Sequence, residues 1–87
     1  MTDPTRARLE ALFEQLIRQQ RTKVLKIAQQ HYPHLTADDV LNPHDFPVLE
    51  ADSQFNFEDG ILSGYLSAQM AMRAELAGSQ GSVAEAL

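Results

Sequence analysis

Apolar residues recur at Leu9, Leu12, Phe13, Leu16, Ile17, Val24, Ile27 and Ala28, with polar residues filling the gaps. Steps of three and four place them along one stripe of a 3.6-residue helix. Asp3 is a good N-cap, and Pro4 suits the first helical position, where its missing N–H is not needed. No Gly or Pro follows before Pro33, so the pattern predicts a helix from about Pro4 to Gln30. Two polar residues, Gln20 and His31, fall on the stripe. Gln20 is read as a hydrogen-bonded or partly solvated polar residue, with a register-setting role in a helix interface as the alternative. Leu25 points away from the stripe, where it would suit an edge contact with a second chain.

A second helical pattern runs through Phe57, Ile61, Leu62, Tyr65, Leu66, Met70, Met72 and Leu76. It predicts a helix from about Phe57 to Ala77, capped by Asn56, carrying Glu58 and Asp59 in its first turn and stopped by Gly78. Beside the large residues lies a stripe of small ones: Gly60, Gly64, Ser67, Ala71, Ala74 and Gly78. A helical Gly costs ~1 kcal/mol relative to Ala, so two of them a turn apart ask for a reason. The expectation is a close helix-on-helix seam at Gly60, Gly64, Ser67 and Ala71, within the chain or between two chains. A solvent-facing side is the alternative.

The pattern between the helices is different. Pro33, Pro43 and Pro47 exclude a long helix or a central strand from His31 to Gln54. Thr36-Ala37-Asp38-Asp39 reads as a capping box opening one or two turns that stop before Asn42-Pro43. Asp45-Phe46-Pro47-Val48-Leu49 should start another turn. Leu35, Val40, Leu41, Phe46, Val48 and Leu49 would anchor this strap over the helices. Residues 79–87 carry little apolar content after a helix stop and read as a disordered tail beyond a single helical domain of residues 1–78.

Composition narrows the chemistry. The chain has 87 residues, 44% of them hydrophobic, with no Cys and no Trp, so disulfides, thiol nucleophiles and thiolate metal sites are excluded. No apolar segment follows the N-terminus as a signal peptide would require, and no run approaches a membrane span; a cytoplasmic location is expected.

The net charge of −5 is unevenly spread. Residues 1–30 hold six cations against three acids, whereas residues 31–87 hold one cation, Arg73, against nine acids. Such polarity favours one half lying on the other, within a chain or between two. Arg18, Arg21, Lys23 and Lys26 offer an alternative as a nucleic-acid surface. They fan over a wide arc, however, and share the helix with Glu10 and Glu14, where a groove-reading helix concentrates its cations on one strip.

His31, His34 and His44 cluster beside Asp38, Asp39 and Asp45 and are the candidates for a metal site. The four-ligand pattern of structural zinc and the triplet of catalytic zinc are both missing, so no metal or other cofactor is expected. Asp52-x-Gln54-x-Asn56 departs from a calcium loop where the loop needs Gly and a bidentate Glu: Phe57 and Ser63 stand there. Walker, dinucleotide-binding, nucleophile-elbow and zincin motifs are absent.

The fold read from these patterns is all-α: an antiparallel hairpin of two long helices joined by a proline-punctuated strap with one or two short turns. Such a hairpin has a thin core, which pairing into a dimeric four-helix bundle would thicken. No motif specifies an activity. A non-enzymatic protein-interaction module, homodimeric and binding a further protein partner, is the expectation. A nucleic-acid-associated dimer and a His-centred metal protein are the alternatives.

Overall fold

The structure is a computed structural model that describes residues 4–78, all of them in helices or short connections. The first helix, α1, spans Pro4–His31, close to the extent its periodicity dictates; Asp3, its expected cap, lies outside the described residues. Pro33 prevents continuation. The last turn closes instead through Tyr32 N–H donating to Ala28 O at 3.0 Å and Leu35 N–H to Tyr32 O at 3.0 Å. The Gln29 amide also donates to Leu35 O at 3.0 Å, tying the turn to the helix it leaves.

Thr36 forms the expected capping box: its hydroxyl accepts from Asp39 N–H while its own N–H donates to the Asp39 carboxylate. The turn it opens, α2, covers Ala37–Val40. A 3₁₀ turn at Pro43–Asp45 and the single-turn helix α3, Pro47–Ala51, complete the strap, each beginning on its proline. Tyr32 and Phe46 pack as tilted rings with centroids 5.3 Å apart.

The second long helix, α4, spans Ser53–Ala77, so it begins one turn before the expected start at Phe57. Asp52, not Asn56, is the cap: its Oδ1 accepts from Phe55 N–H at 2.9 Å. Asn56 lies inside the helix and donates to Glu50 O at 2.8 Å, binding α4 back to α3. The earlier start turns Phe55 fully into the core and leaves Phe57 67% exposed.

Three side-chain links between the long helices show their direction. Glu10 meets Arg73, Gln20 meets Glu58, and His31 meets Asp52 at the start of α4. Rising numbers on α1 pair with falling numbers on the other side, so the hairpin is antiparallel.

The core is lopsided. Ile17, Val24, Ile27 and Ala28 of α1 are buried with Leu35, Leu49, Phe55 and Leu62. In α1 burial begins at Ile17 and in α4 it ends at Gln69, so residues 4–16 and 70–77 bury nothing fully. The molecule measures 47 × 28 × 17 Å. The short strap helices pack against the long ones, and among the described residues α1 and α4 are the only helices longer than two turns.

Candidate interaction surfaces

Residues of α1 step around its axis by about 100° each, which gives the helix two distinct edges beside its buried stripe. One edge carries Leu9, Leu12, Leu16 and Lys23; the other carries Glu14, Arg18, Arg21 and Leu25.

The first edge is apolar at the open end of the hairpin. Leu9 and Leu16 are half-buried and Leu12 is 48% exposed. Across from them, the matching edge of α4 presents Tyr65, Met72 and Leu76, all half-buried. The strap end of this edge is polar. Gln20, itself buried, sends both hydrogens of its amide to Glu58, one to the backbone carbonyl and one to Oε1, each at 2.8 Å. Lys23 Nζ stands 3.8 Å from the same Oε1. The two Glu58 oxygens satisfy the amide's donors where the apolar stripe would otherwise strand them, so of the two expected environments for Gln20 the hydrogen-bonded one is found.

The second edge forms a groove of about 460 Å³ between α1 and α4. Ile17, Leu25 and Leu66 give it an apolar floor, joined by the largely buried Gln69. Arg18 and Arg21 stand on its rim and Ala37 of the strap lies at one end. Leu25, expected to point away from the core, does so and lines this groove half-buried. No pattern in the sequence singled out Gln69 or Leu66 for it; their placement depends on how α4 is rotated, which Phe55 decides.

The four expected cations separate. Arg18 and Arg21 share the groove, Lys23 faces the opposite edge beside Glu58, and Lys26 is exposed. They do not form a single strip. His31 and His34 line one shallow pocket with Asp39, but His31 and His44 have different partners. His31 Nε2 meets Asp52 Oδ2, His44 lies 3.5 Å from Asp45, and His34 is exposed on the strap. Among the described residues no group of three or more His, Asp or Glu side chains is arranged to hold a metal ion. His31–Asp52 resembles the base half of a nucleophilic triad; the pocket shared by both residues is lined by Pro47, Val48 and Ala51, a second pocket at His31 is lined by Tyr32, His34 and Asp39, and the chain has no Cys.

Within the chain the small-residue stripe is not a seam. Gly60, Gly64, Ser67 and Ala71 are exposed, and a Cβ built on Gly60 or Gly64 would meet nothing within 4 Å. The stripe lies on the side of α4 turned away from α1, because Phe55, Leu62 and Gln69 take the inward side.

Electrostatics marks three places. Hydrogen bonding to Arg73 holds the Glu10 carboxyl below its ordinary value, and the same pairing raises Arg73. The Phe55 N–H, followed by His31, lowers Asp52. Partial burial pushes Asp59 above its ordinary value.

No helix among the described residues is long and apolar enough to cross a membrane. Comparison with known proteins gives no match: no family model fits the chain, and no curated protein or solved structure is significantly similar to it.

Proposed function

We propose that this protein is a non-enzymatic interaction module that works as a homodimer, two hairpins pairing into a four-helix bundle. The observation that carries this reading is the apolar edge at the open end. Leu9, Leu12 and Leu16 of α1, with Met72 and Leu76 of α4, remain partly exposed where neither long helix buries a residue. A second hairpin laid on that edge would cover these side chains and thicken the core into a four-helix bundle.

Charge favours α1 of one copy lying on α4 of the other. Residues 4–31 hold six cations and two acids, a balance of +4; residues 53–77 hold one cation and three acids, a balance of −2. Within a single chain only Lys23–Glu58 joins a Lys or Arg of α1 to an acid of α4 among the described residues. Leaving aside Arg18 and Arg21 on the opposite edge, Arg6, Arg8 and Lys26 of α1 and Asp59 and Glu75 of α4 have no ion-pair partner among the described residues and are available for contact between copies. The cysteine-free composition fits a reducing compartment, and we place the protein in the cytoplasm.

Thermal unfolding over a wide concentration range tests the pairing. A midpoint that climbs with protein concentration supports it, because association stabilises the folded state by mass action. A midpoint independent of concentration contradicts it.

A further inference from the structure

We propose that the Arg18–Arg21 groove docks an acid-flanked amphipathic helix from a partner protein. This extends the reading of the chain as a contact module to a second surface, on the edge of α1 opposite to Leu12 and Leu16. Ile17, Leu25 and Leu66 offer an apolar floor between two helices. Neither Arg18 nor Arg21 has an ion-pair partner among the described residues, whereas Arg73 and Lys23 are both paired.

Shape selects a helix as the occupant. No strand is present among the described residues, so an extended peptide finds no sheet edge to continue. A helix needs only a valley between two others, with its apolar ridge on the floor. From Glu14 to Leu25 the α1 wall runs about 16 Å at 1.5 Å per residue, or three helical turns.

Charge selects its flank. A cation of the docked helix would meet Glu14, and carboxylates one and two turns further along would meet Arg18 and Arg21, which fixes direction. An extended polyanion is a poorer match: the floor is apolar, Glu14 would repel it, and the chain carries −5 overall. The α1 helix of a second copy, at +4, would set cations against cations.

The test uses the full chain and two labelled synthetic helices of about 14 residues, each with a Leu/Ala face. One is flanked by Glu, the other by Lys. The Glu helix should bind saturably and perturb Leu25 and Leu66 in NMR spectra. The exposed pair R18E/R21E should weaken it by about tenfold or more and should gain binding of the Lys helix. Circular dichroism of the double variant serves as the folding control.

Absence of saturable Glu-helix binding to wild type would overturn the proposal. So would binding that charge reversal leaves unchanged, or displacement by duplex DNA at the same salt. Sedimentation of the same samples separates this proposal from the pairing. A monomer that binds the Glu helix upholds the groove and removes the dimer. A dimer that R18E/R21E dissociates assigns the groove to a second copy and overturns the partner-helix proposal.

Discussion

Arg73 grips Glu10 across 63 positions of sequence, its Nε and Nη2 each donating to a different carboxylate oxygen at 2.8 Å. This two-pronged contact joins the otherwise thinly packed open end of the hairpin. It runs against the charge asymmetry of the chain, since the one Lys or Arg in residues 31–87 reaches an acid of the basic half.

Arg73→Ala should lower the melting temperature at neutral pH and speed hydrogen exchange at the open end of the hairpin, in both long helices. The sign with pH follows from Glu10, whose folded value lies below the ordinary 4.5. Its contribution is present above that ordinary value and fades as pH falls through the lower, folded one. The gap between wild type and Arg73→Ala should therefore close in acid, and shrink in high salt. An unchanged gap at low pH would show that Arg73 acts through packing alone.

Gln20→Ala should cost about 1–3 kcal/mol, because it opens space in the buried stripe and removes both donors from Glu58. Gln20→Glu should be worse at neutral pH, setting one carboxylate on another, and should recover in acid. Chemical denaturation at two pH values checks both. A Gln20→Glu protein as stable as wild type at neutral pH would refute the contact.

Gly64→Ala should stabilise by up to ~1 kcal/mol, since a Cβ there meets open space and Ala is the better helix former. Destabilisation would mean that another chain packs on Gly64 in solution. The measurement is the shift in denaturation midpoint.

Asp59→Asn should raise the melting temperature at neutral pH. Burial lifts the folded Asp59 carboxyl above its ordinary 3.8, so its ionised form opposes folding once pH exceeds that range. Below the range both forms are neutral and the advantage should vanish. Asp52 has the opposite sign: its lowered value supports the fold above the carboxylate range and is lost in acid.

The long helices, the proline-broken strap and the Thr36 capping box were legible because each rests on neighbours within one or two turns. The start of α4 was not. Asp52 and Asn56 are equally good caps locally, and the choice depends on whether Phe55 or Phe57 enters the core, a contact with residues far along the chain. The same rotation turns Gly60 and Gly64 outward and brings Leu66 and Gln69 to the groove. Leu25 was visible as an outlier from its stripe, but its opposing wall was not. The expected tail at residues 79–87 lies outside the described residues.

Sedimentation equilibrium of wild type beside Leu12→Glu distinguishes hairpins paired through the Leu9–Leu12–Leu16 edge from single chains. Wild type should have a mass near twice the 9.7 kDa of one chain, and Leu12→Glu should stay helical but sediment as a single chain. A wild-type monomer throughout the micromolar range, or a Leu12→Glu dimer as tight as wild type, would contradict the pairing.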